Sequence, residues 1–425
     1  MNILVVGGGS WDDTSSLGNT FSNLFSGWKD VNFYNLYFRE TAPNNSVCKD
    51  YFRITTKEIL MKFLTPHKIG EAFQITGECR KSEDRNGEKE KKAISIIHRF
   101  GLNAIYELED QLWYSRKWIN EELDRFIDRV NPDVIFSFAA GNSYMWLPIE
   151  YIKKRTGAKL ILLVADDLHT SYRLNNDRHH RRMRRDLDRL MGLADRVYGI
   201  SEEMSAYYQK LYGMAVSPLY KGCSFENQPM AQVNTPLKLV YAGNLLFGRL
   251  ETLAALADCL EQLNMDGIRV TLDIYSATII TEEQSKKINR EGYCYFRGGI
   301  SYLEVKQKMA EADIVLHVES FEEEQIKRVR YSFSTKIIDC LQSGSVMLAI
   351  GPKGISSIEY PKRIPGAVVI DDLQDIYDKL SELVSEGENL IKRAEQIRNF
   401  ALEKHDIVQV RKELQMEFSS ICANI

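Results

Sequence analysis

The sequence predicts an α/β protein built as two Rossmann-like domains, each a parallel sheet flanked by helices, facing each other across a cleft. Three observations carry this. Short β-rich runs alternate with helix-length amphipathic stretches along the whole chain. The alternation stops once, at 224–236, and then restarts. The length, 425 residues, suits two to three domains of ordinary size.

In chain order, 2–7 is an apolar run closed by glycines, so it reads as a buried strand. A second strand is expected at 31–37. The stretch 112–130 keeps helical apolar spacing and reads as one long helix, stopped by Asn131-Pro132. Strands follow at 133–138, 159–165 and 196–200, the middle one after a helix ending at Gly157. Ser201 then caps a helix with Glu202 and Glu203 in its first turn.

The polar segment 224–236 carries two prolines and no periodicity, and is the linker. Beyond it, strands are expected at 237–242, 270–275, 313–318 and 346–350. Helices are expected at 251–263, 303–311 and 334–343, and the tail from Asp371 is helical and charged. The domains are therefore 1–223 and 237–400, with 401–425 a helix packing back on the first. In such sheets ligands sit beyond the carboxyl ends of the strands. The region 51–110 offers no motif.

Composition narrows the function classes. A net charge of −4 gives no global reason to expect nucleic acid. The seven cysteines form no CxxC pair, which argues against a zinc site or a disulfide framework and for a reduced, cytoplasmic setting. The start reads as a strand rather than a signal peptide. The longest apolar runs fall far short of the roughly 20 residues of a membrane span, so any membrane contact is peripheral, at the inner face.

Three stretches carry chemistry. After the strand at 237–242 come Gly243, Asn244 and, five residues on, Arg249 at a helix start. A diphosphate needs a cation and backbone N–H groups, and a glycine turn before a helix offers both. The second stretch runs Ser334, Thr335, Lys336, then Asp339, then Gly344 before the apolar VMLAI strand. A carboxylate suits a ribose diol because it accepts two hydroxyl hydrogens. The third is the glycine-bearing loop after the first strand, ending at Gly18 and Asn19. Its glycines lack the GxGxxG spacing, which disfavours a nicotinamide cofactor. The alternative for Arg249 is a solvated helix-start residue, and Asp339 taken alone reads first as a helix-surface acid.

Together these stretches resemble the GT-B glycosyltransferases of family 4, especially those of capsular polysaccharide and exopolysaccharide clusters. The resemblance is clear over 237–352 and looser over 1–222. It implies a donor site. Gly243 matches the turn glycine, Asn244 stands where the family has arginine, and Arg249 where it has lysine. Ser334, Thr335 and Lys336 would face the diphosphate from a helix N-terminus, and Asp339 would hold the ribose. Gly18 and Asn19 would close on the donor phosphate. Tyr331 replaces the family's first acid, and Glu319 or Glu322 to Glu324 are the nearest substitutes.

The resemblance also places the reaction centre after the strand at 159–165, at Asp166-Asp167-Leu168-His169. Relatives have His-Asp at the first two places, so Asp166 replaces the histidine. Asp166 and Asp167 would orient or deprotonate an acceptor hydroxyl, or stabilise an oxocarbenium-like sugar; the alternative is a helix cap.

The implied activity is transfer of a sugar from a UDP- or GDP-linked donor to a hydroxyl of a glycan or lipid-linked acceptor. It proceeds with retention, without metal or cofactor, in surface polysaccharide assembly. The missing acid and histidine leave two other readings, a catalytically inactive subunit partnering another transferase and a nucleotide-sugar epimerase. The stretch 173–189, opening on Arg173 and closing on Arg189, is densely basic. It reads either as a contact with anionic lipid or a lipid-diphosphate acceptor, or as a solvated helix paired with Asp186 and Asp188. The charged segment 80–92 reads as an exposed loop. Trp113, Tyr114 and Trp118 are expected to pack a core rather than line a sugar site.

Overall fold

The structure, a computed structural model, describes residues 1–75, 103–169, 178–225 and 233–423. The loop expected at 80–92 and most of the linker expected at 224–236 lie outside the described residues. The chain divides into two compact units, Met1–Leu219 with Gln409–Ile425, and Tyr220–Val408.

The first unit holds eight strands: β1 (Asn2–Gly7), β2 (Asn32–Tyr37), β3 (Asp50–Arg53), β4 (Glu71–Gln74), β5 (Val134–Phe138), β6 (Lys159–Val164), β7 (Arg196–Gly199) and β8 (Val216–Pro218). Their order is β4-β3-β2-β1-β5-β6-β7-β8. β1, β5 and β6 are mostly apolar and almost wholly buried, because helices cover both faces of a parallel sheet. The strand order reverses between β1 and β5, which makes their carboxyl ends a topological switch point. β3 and β4 fall in the region that offered no motif. β4 runs antiparallel to β3, so the sheet is not wholly parallel. As a short, polar edge strand it carries no apolar alternation to announce it.

The single helix expected at 112–130 is two, Asn103–Tyr114 and Glu121–Val130. Arg116 takes a left-handed conformation, φ 56°, and breaks the first. The Asn120 side chain caps the second, accepting the Glu122 and Leu123 N–H groups at 3.0 and 3.1 Å. Apolar spacing runs through the break because Trp113 and Trp118 are both buried, and the Trp118 indole donates to the Trp113 carbonyl at 2.8 Å.

The helix Ile407–Ala423 belongs to the core of this unit. Phe418 is buried among Phe25, Trp28 and Phe136. Arg411 donates to the Asn23 and Ser22 carbonyls at 2.7 and 3.2 Å, at the end of the helix Ser16–Phe25.

The second unit holds β9 (Leu237–Ala242), β10 (Val270–Tyr275), β11 (Cys294–Gly298), β12 (Ile314–Val318), β13 (Val346–Ile350) and β14 (Val368–Ile370). The order is β11-β10-β9-β12-β13-β14, with every pairing parallel. β9 and β12 are adjacent, so the switch point of this sheet lies just beyond Ala242 and Val318. The six described cysteines are free. No described helix is long and apolar enough to cross a membrane.

Replacing Phe418 with alanine is expected to destabilise the first unit by about 3–5 kcal/mol, the usual loss for a buried aromatic. Urea unfolding read by tryptophan fluorescence measures it; an unchanged midpoint would show that the C-terminal helix does not contribute to that core.

Candidate functional site

The switch point of the second sheet gathers Arg249, Glu319 and Lys336. β9 ends, the chain turns at Gly243 and Asn244, and the helix Arg249–Leu263 begins. β12 ends at Val318 and is followed by Glu319 and Ser320. Arg249 bridges the two loops. Its Nε donates to the Val318 carbonyl at 3.1 Å and to Glu319 Oε2 at 3.2 Å. Its Nη2 donates to Glu319 Oε2 at 2.8 Å, and its Nη1 to Asn244 Oδ1 at 2.8 Å.

Both partners are buried, with Arg249 8% and Glu319 3% exposed. Glu319 also accepts from Ser357 Oγ, and its backbone carbonyl from Thr252 Oγ1. Burial pushes the Glu319 carboxyl up, and the Arg249 guanidinium opposes it. Of the five guanidinium N–H groups, one on each terminal nitrogen keeps no partner among the described residues.

Two glycines make this approach possible. Gly248 has φ 73°, and a Cβ there would lie 2.2 Å from Ser320 Oγ. A Cβ on Gly243 would lie 2.1 Å from Lys336 Nζ. Lys336 opens the helix Lys336–Gln342, and its ammonium sits 5.6 Å from the centroid of the Tyr241 ring. Among the described residues nothing accepts a hydrogen bond from it. Burial, and next the charge of Arg249, lower its pKa from 10.5 to about 8. His317, fully enclosed on β12, is pushed down to about 3 by burial, then by Lys336 and Arg249, so it adds no positive charge near neutrality.

Asp339 lies one helical turn from Lys336, on the same face. Its Oδ1 accepts the Tyr302 hydroxyl at 3.2 Å. Burial raises its pKa, and Lys221 opposes that. Ser334 and Thr335 precede the helix, and their carbonyls accept the Ile337 and Ile338 N–H groups at 3.0 and 3.1 Å. Thr335 makes no side-chain cap bond.

The structure therefore brings Gly243, Asn244, Arg249 and Lys336 together, with Asp339 beside them. The Asn244 Oδ1 is already engaged: it accepts from Arg249 and from the Leu246 N–H. Glu319, weighed as a stand-in for the missing acid, is engaged by Arg249 instead. Glu323 pairs with Lys327 at 2.8 Å.

The remaining site residues lie in the first unit. Gly18 and Asn19 are in the helix Ser16–Phe25. The Gly18 N–H is taken by the Ser15 side chain at 3.0 Å and the Asn19 N–H by the Ser15 carbonyl at 2.9 Å. Neither backbone group is open to a phosphate in this structure. A Cβ on Gly18 would lie 2.0 Å from the Asp12 carbonyl oxygen, which accounts for the glycine by packing.

Asp166 is exposed in the turn after β6, and Asp167 is buried in it. His169 points into the fold, with Nδ1 3.0 Å from the Tyr207 hydroxyl. Of the basic stretch, the helix Arg178–Leu193 is described and 173–177 is not. Arg182 donates to Asp110 at 2.6 Å, and Asp186 is buried and accepts the Tyr114 hydroxyl at 3.0 Å. No group of three or more His, Cys, Asp or Glu side chains among the described residues is arranged to hold a metal ion.

Removing Arg249 strands a buried carboxylate. Arg249→Ala is expected to destabilise the second unit by about 3–5 kcal/mol. The pair Arg249→Ala with Glu319→Ala should lose less than the single change, and urea unfolding of both variants decides it. Lys336 behaves oppositely. Below pH 8 its amine is charged in both folded and unfolded chains, and the burial penalty is fully present. Between about 8 and 10.5 the unfolded chain binds more protons, so stability rises with pH. Lys336→Met should therefore raise the melting temperature at pH 7, and the difference from the parent should shrink toward pH 10.5. A variant less stable than the parent at pH 7 would contradict this.

No family model matches the sequence, and no curated relative matches it either. Solved structures do match over the whole length. HepE (Alr3699) of Anabaena, solved with UDP and glucose, has a TM-score of 0.63 at 13% identity, covering 99% of this chain and 100% of that one. The same protein solved with UDP has a TM-score of 0.65 at 13% identity, with the same coverage. Sucrose-phosphate synthase of Thermosynechococcus elongatus has a TM-score of 0.62 at 10% identity, covering 100% and 99%. Likeness at such identity speaks to the fold alone. Two Rossmann-like parallel-sheet units of this kind, matched end to end by glycosyltransferases of that architecture, give this chain the GT-B fold.

Proposed function

We propose that this protein is a glycosyltransferase that binds a UDP-sugar at the switch point of its second unit. One observation carries the reading. The Lys336 ammonium stands over Gly243 with no acceptor among the described residues, beside a second cation, at the edge where such sheets bind ligands. The Lys336 ammonium, beside an Arg249 that is paired with Glu319 but keeps N–H groups to donate, favours an anion, which would restore the Lys336 charge. The preference for uridine is supported by HepE, whose structures contain UDP.

In this reading Lys336 and the outward N–H groups of Arg249 hold the diphosphate, and Asp339 holds the ribose. As the bond from the anomeric carbon to the phosphate oxygen breaks, the electron pair leaves with UDP. The two cations stabilise the charge that develops there. With retention, the acceptor hydroxyl adds on the face that the diphosphate leaves, and the departing phosphate oxygen takes the hydroxyl proton. The first unit is assigned the acceptor, with Asp166 orienting its hydroxyl and Asp167 buried in the same turn.

The acceptor class, a glycan or lipid-linked hydroxyl in surface polysaccharide assembly, rests on the resemblance over 237–352. The exposed arginines of the helix Arg178–Leu193 support a peripheral contact with anionic lipid at the inner face of a membrane.

The test is to incubate the full chain with a panel of nucleotide sugars and follow nucleotide release and sugar products by mass spectrometry. UDP release from one donor is expected, reduced at least tenfold in Lys336→Met. Donor affinity of the parent chain should weaken as pH rises past about 8, where the free Lys336 amine loses its proton, and that of Lys336→Met should not. Isomerised donor without released UDP would instead reveal an epimerase, and no binding of any nucleotide would remove the donor site.

A further inference from the structure

The donor reading assigns the phosphates and the ribose but leaves the nucleobase without a partner. Tyr302 and Leu303 are exposed by 56% and 78% at the start of the helix Tyr302–Ala310. Single exposed apolar side chains are ordinary. Tyr302 differs because its hydroxyl is bound to Asp339, the acid assigned to the ribose.

The ring is also held in place. Ser301 caps the helix, its hydroxyl accepting the Glu304 N–H at 3.3 Å while Glu304 accepts the Ser301 N–H at 2.8 Å. The preceding loop is seated on its neighbour, since a Cβ on Gly299 would lie 3.1 Å from Ala277 Cα. Lys306 Nζ lies 4.9 Å from the ring centroid, which adds a cation to one side of the aromatic surface.

We infer that Tyr302 is the nucleobase platform of this site, its ring stacking on the base while its hydroxyl holds Asp339 toward the ribose diol. The inference rests on the donor reading. The order follows from the connectivity of a nucleotide. With phosphates at Lys336 and ribose at Asp339, about 4.5 Å farther along the helix axis, the base lies beyond Asp339. Tyr302 is the side chain found bound to Asp339. A stacking platform accepts any flat base, so Tyr302 contributes affinity for the nucleotide rather than a choice among bases. Its hydroxyl occupies only part of the acceptor capacity of Asp339, since an ionised carboxylate offers about four lone-pair sites.

Calorimetry of the parent chain, Tyr302→Leu and Tyr302→Phe against UDP and against inorganic pyrophosphate tests it. Tyr302→Leu should weaken UDP by about 5- to 150-fold, the range for losing one base–aromatic stack, and leave pyrophosphate unchanged. Tyr302→Phe keeps the ring and should lose less. Unchanged UDP affinity in Tyr302→Leu, or an equal loss for pyrophosphate, overturns the platform while leaving the donor site standing. A parent chain that binds neither UDP nor pyrophosphate overturns both.

Discussion

The second unit is organised around one buried ion pair, Arg249 with Glu319. Taking both charges out of water is expensive, and such pairs add little net stability. What this one supplies is position. It fastens the loop after β9 to the end of β12, at the only place in that sheet where the strand order reverses. Gly248 can lie against Ser320, and Asn244 is turned inward, because the guanidinium holds both loops. The floor of the edge is thereby fixed before any ligand arrives, as preorganised sites require.

Lys336 then stands on that floor with no ion-pair or hydrogen-bond partner among the described residues. Its position is one that folding alone would not favour, since its amine is held well below the usual lysine range by burial and by its neighbour Arg249. Local conflict of this kind is expected where function, not stability, sets the residue. The diphosphate proposed for this site would resolve it by supplying negative charge. Asp339 and Tyr302 extend the same edge with a carboxylate and a flat ring, so the polar groups follow the sequence of parts in a nucleotide.

Much of this was legible in the sequence. Strands such as β6, apolar after Lys159 and preceded by Gly157, and β13, apolar throughout and lying between Gly344 and Gly351, are identified by period and length. Gly243, Lys336 and Asp339 stand at recognisable spacings around β9 and β13. Other features depend on contacts between residues far apart in the chain. The partner of Arg249 is 70 residues away. Asp110, which holds Arg182, is 72 residues away from it. Gly18 was visible as a glycine in a loop-to-helix start, but the close approach of the Asp12 backbone, which leaves no room for a Cβ there, was not. The break at 115–120 was hidden because Trp113 before it and Trp118 within it are both buried and keep the apolar rhythm unbroken. The Asn120 cap that restarts the helix was the signal available there.

The central claim is that the Gly243 turn, Arg249 and Lys336 form a diphosphate site. A crystal structure of the full chain with UDP tests it most directly. The account predicts a phosphate oxygen within hydrogen-bond distance of Lys336 Nζ, above Gly243, with the Arg249–Glu319 pair intact beneath it. UDP bound with its phosphates elsewhere, or Arg249 drawn away from Glu319 to meet them, would contradict it.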